Sequence, residues 1–384
     1  QFEQEYIENK RAALEAAQTF GYLTEYDTDG YGRGELMFLL ADGTPIYYET
    51  TNLGAGITAR VDRINSGGSS GLNLDGNGME VGVWDGGRVR SSHALLQGRA
   101  IQYDGNPDND THATHVTGTI IGTGSTVGGM AKGMAPMAST RNYDFNNDIS
   151  EMTNAALDGL LVSNHSYGIP AHPSGNNQGA PNWYIGKYTQ ESRSWDIISY
   201  NAPYFLNVKS AGNSRNQANN NPSDGGYDLL TGSGVSKNNL VVAAVEDVYD
   251  YTGPASVIMS DFSSWGPPDD GRIKPDISAK GVNTFSSIAN SDTSYTNLSG
   301  TSMSAPSVSG AIILLQEHYN NLNSDFMLSS TLRGLVIHTA DEAGEHPGPD
   351  YQFGWGLINA EKAAEVISEN GITSYINELD FNNA

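Results

Sequence analysis

Cysteine is absent from all 384 residues, so the chain has neither a disulfide framework nor thiol chemistry. That lack does not place the protein inside a cell. Long apolar runs are missing too: no stretch approaches the roughly 18 residues that a membrane-spanning helix needs. Positive charge is scarce, with 20 Lys and Arg against 44 Asp and Glu and a formal net charge of −24. A field of that sign repels nucleic acid and anionic membranes, and neither is expected as a partner. The acidity serves solubility, or an affinity for Ca²⁺, a hard cation that takes oxygen ligands. The sequence starts at Gln1 with no charged-then-apolar leader, so a targeting segment is either removed or outside it.

What is present falls into three stretches: an N-terminal helix and β-hairpin extension over residues 1–65, a main domain over 66–370, and a tail over 371–384. EQEYIENKRAALEAAQTF reads as a helix, and the next segment as paired strands turning at Asp29-Gly30 and Asp42-Gly43. A Gly/Ser-rich bridge, SGGSSGLNLDGNG, follows over 66–78. From Met79 to about Ile367, short strands alternate with helices. VGVWDGG, YFLNVKSAGN and NLVVAAVED are near-continuous apolar runs ending in Gly, Asp or Asn, the pattern of parallel strands buried on both faces. An α/β fold with helices on both sides of the sheet is expected. The tail resumes a strand-like pattern; it is either a frayed end or the start of a further C-terminal domain.

Four segments carry chemistry. VGVWDGG places Asp85 just past a buried strand, where α/β proteins put their sites, although an aspartate there also serves as a cap or turn former. THATHVTGTI puts His112 and His115 three apart at a helix start, without the glutamate and spacing of a zinc helix. One chemical and one structural histidine fit better than a metal pair. KSAGN brings Gly212, which admits close backbone approach, and Asn213, which offers an amide donor. In GTSMSAP, Gly300 permits a tight entry into a helix whose head carries Ser302 among unpaired backbone N–H groups. Pro306 is tolerated if that helix begins near Met303, because its missing donor then falls in the first turn.

Taken together and in this order, these segments resemble the subtilisin-like serine peptidases, the subtilase family, over roughly residues 79–367. GTSMSAP is similar to the family's nucleophile segment, THATHVTGTI to its histidine helix (with Ala113 where a glycine is usual), and KSAGN to its oxyanion segment. The resemblance implies a three-layer α/β/α fold with a mostly parallel central sheet. It also implies a secreted serine endopeptidase of broad specificity on extended polypeptides, likened to a monomer that needs no cofactor for catalysis but binds structural Ca²⁺. Ser302 would be the nucleophile, His112 the general base, Asp85 its orienter and Asn213 an oxyanion donor. The chain order Asp, His, Ser is that of subtilisin. Ser166, Tyr167 and Gly168 on one side, and Ser210, Ala211 and Gly212 on the other, would wall the S1 pocket. Without an acidic residue in either wall, the pocket leans away from strict Lys or Arg preference.

Two local departures stand out. Asn207 and Lys209 interrupt one strand, and Asn164 and His165 the other, which allows a polar cluster between them. DGNPDNDT alternates Asp104, Asn106, Asp108 and Asp110 like the start of an EF-hand loop. Asn109 and His115 occupy the required Gly and Glu positions, so no metal ligand is assigned. The N-terminal unit reads either as an extension retained on the mature enzyme or as an inhibitory prodomain.

Overall fold

A computed structural model describes residues 2–27, 33–39, 43, 45–50, 53–171, 179–216, 221 and 224–378. Helix α1 (Phe2–Phe20) packs Ala13 and Ala17 against Leu36. Leu36 belongs to an antiparallel sheet of β1 (Glu25–Asp27), β2 (Arg33–Leu39) and β3 (Pro45–Thr50), in that order. The expected hairpin therefore carries a third strand. Of its two expected turns, only Gly43 is described, at φ +85°, while Asp29, Gly30 and Asp42 lie outside the described residues.

Residues 53–65 belong elsewhere than the sequence pattern grouped them. In α2 (Leu53–Thr58), α3 (Val61–Ile64) and the turn between them, Ala55, Ala59, Val61 and Ile64 are buried in the main core. Arg60, 2% exposed, ties this segment to Asp341 with an ion pair at 3.5 Å. Apolar burial, not the Gly/Ser bridge that follows, decides where these residues pack.

The main sheet contains β4 (Glu80–Asp85), β5 (Ala100–Gln102), β6 (Ser139–Asp144), β7 (Val162–His165), β8 (Leu206–Ser210), β9 (Leu240–Val245) and β10 (Ile277–Lys280). Its order is β10-β9-β8-β7-β4-β6-β5, and every neighbouring pair is parallel. Side chains alternate across it. Val81 and Val83 join the core with α4 (Thr111–Ile121) and α7 (Thr301–Asn323), while Trp84 and Tyr143 join the core with α5 (Asp148–Leu157) and α6 (Gln190–Asn201). Residue 82 must be glycine because a Cβ there would sit 2.5 Å from the Trp84 ring. A hairpin of β11 (Thr284–Ser287) and β12 (Tyr295–Leu298), together with α8 (Ser329–His338) and α9 (Ala360–Ser368), completes the unit. Residues 371–378 form turns and coil rather than a strand, with Glu378 accepting the Leu328 N–H at 2.8 Å.

This topology positions the site. From β4 the chain first builds β5 and β6 on one side, then β7 to β10 on the other. The crevice at the carboxyl ends of the strands beside β4 is thus a topological switch point, where open α/β sheets bind ligands.

Candidate active site

Asp85 ends β4 and is 2% exposed. Its Oδ1 accepts the His112 Nδ1–H at 2.6 Å and the Gly86 N–H at 2.7 Å, while its buried Oδ2 finds no donor among the described residues. With Nδ1 donating to a carboxylate, His112 keeps the Nε2 lone pair for accepting a proton. The helix head that carries it is fixed by Asp110, the N-cap, whose Oδ1 accepts the Ala113 N–H at 2.7 Å. Further along α4, Gly118 allows close approach to the hairpin; a Cβ would meet Ser287 Oγ at 2.3 Å. Burial lowers the pKa of His112, but the charge and hydrogen bond of Asp85, with Asp110 behind them, outweigh it and raise the net value above 6.5. His115 is the opposite case. Fully buried, with Nε2–H donating to the Thr284 carbonyl at 2.8 Å, it is held neutral with a pKa pushed down to about 4.

Helix α7 begins at Thr301, earlier than expected, so Ser302 is its second residue and Pro306 lies beyond the first turn. Pro306 has no N–H for the Ser302 carbonyl four residues back. That carbonyl instead accepts the Ser166 hydroxyl at 3.0 Å, and the Ser302 hydroxyl donates to the Ser166 carbonyl, also at 3.0 Å. Beside it, Asn213 Oδ1 accepts both the N–H and the hydroxyl of Thr301, each at 2.9 Å. With its oxygen so occupied, the Asn213 amide presents its NH₂ as donor. Thr301 Oγ1 in turn accepts the Gly212 N–H at 3.0 Å, a role that sequence reasoning did not single out.

A cavity of about 400 Å³ opens next to Ser302 and Asn213. All six expected wall residues line it: Ser166, Tyr167 and Gly168 after β7, and Ser210, Ala211 and Gly212 at the end of β8. Lys209, Thr231 and Gly234 also line it, with Ile169, Pro170, Ser214 and Thr301, and were missed as pocket residues. The polar cluster between β7 and β8 is present. Ser163 Oγ donates to Asn207 at 2.9 Å, and His165 contacts Ser163 Oγ at 2.9 Å and the Tyr167 hydroxyl at 3.1 Å. Tyr167 donates to Asp148 at 2.7 Å. Burial, with some help from Lys209, drives the His165 pKa far down, so the imidazole is neutral.

The EF-hand-like spacing does not form a cradle. Asp104 accepts from Gln102 and the Asp144 N–H, Asn106 accepts the Asp108 N–H at 3.1 Å, and Asp110 caps α4. Among the described residues, one group of three or more potential His, Asp or Glu donors lies within 4.8 Å of one another: Asp85, Asp110 and His112. Two of its members are already spent on each other's hydrogen bond, and the third caps the helix.

The subtilase family model matches residues 76–356, which is most of the chain. The chain belongs to the subtilase family. Among curated proteins, this subtilase is 38% identical over 129 residues to the C5a peptidase of Streptococcus pyogenes, a match covering 32% of this chain and 10% of that protein. It is 33% identical over 130 residues to the PII-type proteinase of Lactococcus lactis subsp. cremoris, covering 30% of this chain and 7% of that one. These matches span a tenth or less of the length of those relatives. Among solved structures, the self-cleaved protease domain of PatA aligns with a TM-score of 0.58 at 21% identity, covering 78% of this chain and all of that domain. The prenylagaramide maturation protease PagA gives 0.55 at 20% identity, covering 75% and 93%. At such identities the likeness extends to the fold, a parallel sheet covered on both faces.

Proposed function

We propose that this subtilase is a secreted serine endopeptidase that cleaves extended polypeptides through an acyl-enzyme. Ser302 attacks the peptide carbonyl, His112 takes its proton and later returns it to the leaving amine, and Asp85 holds the imidazole tautomer and stabilises the imidazolium. The Asn213 amide and the Ser302 N–H hold the developing oxyanion. The observation that carries this reading is the 2.6 Å Asp85–His112 bond at the same sheet edge as a helix-head serine and a freed amide. On this reading the Ser302 hydroxyl exchanges the Ser166 carbonyl, which it meets at 3.0 Å, for His112 when it attacks. Broad specificity is kept for substrate positions recognised through their main chain, by strand addition along the Ser166–Gly168 segment. An extracellular location and a monomeric state come with the family likeness.

Structural Ca²⁺ belongs to the same proposal, and one donor set fits it. Asp228 Oδ1 is buried without a partner among the described residues, and it points with Asp269 Oδ1 at the small space left by Gly186. Carboxylate oxygens so crowded suit a hard cation. Asp228 and Asp269 would hold it, and the bound ion would offset their mutual repulsion.

Labelling with a serine-directed fluorophosphonate tests the catalytic reading. Folded wild type is expected to label and Ser302→Ala to remain unlabelled; unlabelled folded wild type overturns it. Because the pKa of His112 is raised above 6.5, kcat/KM is expected to fall as pH drops through a value above that figure. Full activity in acid would point to a carboxylate base instead.

A further inference from the structure

Strand alternation sends Lys209 toward the layer where its neighbours Asn207 and His165 sit among Ser199 and Trp195. The side chain does not stay there. Its Nζ curls back to the wall, donating to the Tyr167 carbonyl and, at 3.3 Å each, to the Ser210 carbonyl and hydroxyl. The residue is 3% exposed, yet it lines the cavity. Gly168 sits beside it: a Cβ there would lie 3.1 Å from Nζ, so the missing side chain leaves space next to the ammonium.

All three acceptors are neutral, and among the described residues no carboxylate ion-pairs with this ammonium. The charged groups that act on it do so from further away. Glu191 is turned onto the Ser233 N–H at 3.0 Å and the Tyr184 hydroxyl at 2.9 Å, and Asp148 and Asp85 are bound to Tyr167 and His112. His165 and Tyr167 flank it from the adjoining strand. A buried cation without a counter-charge is costly unless something supplies one.

We propose that Lys209 makes the S1 pocket selective for an acidic side chain, with the carboxylate of a substrate Glu or Asp supplying the missing counter-charge. This rests on the catalytic reading above, because it takes the cavity to hold the residue on the acyl side of the scissile bond. The bland alternative is a lysine that merely braces the Tyr167 carbonyl. It predicts no discrimination between isosteric charged and neutral substrates. Burial pushes the Lys209 pKa down to about 8, against the upward pull of Glu191, Asp148 and Asp85, so the ammonium is charged at neutral pH and lost in mild base.

The test uses the full chain and quenched peptides that differ only in the S1-bound residue: Glu, Asp, Gln and Phe. At pH 7 wild type is expected to favour Glu over Gln in kcat/KM by about 10²-fold, the order seen when one partner of a desolvated charge pair is removed. Lys209→Met should collapse the ratio to within a few-fold of unity. A wild-type ratio near one, in an enzyme that still cleaves Gln or Phe peptides and labels with fluorophosphonate, overturns the proposal and leaves the catalytic reading intact. Cleavage of no peptide, with no label, sinks the catalytic reading instead. Retained selectivity in Lys209→Met also overturns the assignment. If that variant does not fold, the wild-type pH profile decides: a Glu/Gln ratio that falls as pH rises through about 8 supports Lys209, and a flat ratio overturns it.

Discussion

Lys274 and Lys209 are both buried at the same sheet, and the protein treats them differently. Lys274, 1% exposed, meets Asp276 at 2.5 Å, and Asp276 also receives Arg333 at 2.6 Å. Lys280, also buried, meets Asp247. Lys209 alone among the three has no carboxylate: it has carbonyl and hydroxyl oxygens and, 5.5 Å away, the face of the Tyr167 ring. Where the scaffold buries an ammonium for structure, it supplies a carboxylate from residues flanking its strands. Where it leaves one out, the charge faces a cavity. The missing partner is therefore information about what enters that cavity.

Removing each cation probes this contrast, beginning with the largest effect. Lys274→Met leaves Asp276 buried with only part of its compensation, and should cost about 3 kcal/mol or more in urea denaturation, as broken buried pairs do. Lys209→Met strands no carboxylate, and its cost at pH 7 is expected to stay at about 1–2 kcal/mol, because losing the ammonium's charge-assisted hydrogen bonds is partly offset by no longer burying an uncompensated charge. A loss as large as that of Lys274→Met would make the two lysines alike.

The pH dependence sharpens the point. Since the folded pKa of Lys209 is lowered from 10.5 to about 8, the unfolded chain binds more protons between those values. Wild type should accordingly gain stability relative to Lys209→Met as pH rises from about 8 toward 10.5, read from paired denaturation curves. The smallest effect belongs to Gly168→Ala. Its methyl group, 3.1 Å from Nζ, would screen the ammonium and lower the Glu/Gln preference a few-fold, with no counterpart at Lys274.

The layered parallel sheet was legible because strands buried on both faces leave unbroken apolar runs, as in LVVAAV. Asp85, His112, Asn213 and Ser302 stood out because small residues surround each one at a strand end or helix head. The structure brings Asp85 and His112 into contact and sets Asn213 beside the head of α7. Lys209 was not legible as a pocket residue. Period-two alternation groups it with buried Asn207 and His165, and the length of its side chain carries Nζ to the wall. The packing of 53–65 was hidden for another reason. Short helices rich in Ala and Gly carry little periodic signal, and their place is set by long-range burial against α9 and α7. The start of α7 was misjudged because the sequence offered no sign that Ser166 would replace the donor lost at Pro306.

That replacement has a consequence for how the site tolerates thermal motion. The backbone of Ser302 is fastened to the cavity wall by the bond from the Ser166 hydroxyl to its carbonyl, a bond that remains when the Ser302 hydroxyl turns away from the Ser166 carbonyl. Breathing of the wall is therefore expected to carry Ser302 with it, so that their displacements are correlated rather than independent. On the proposed mechanism such a joint limits variation in the gap between attacking oxygen and bound carbonyl, which asks for stiffness at this one place and not throughout the molecule.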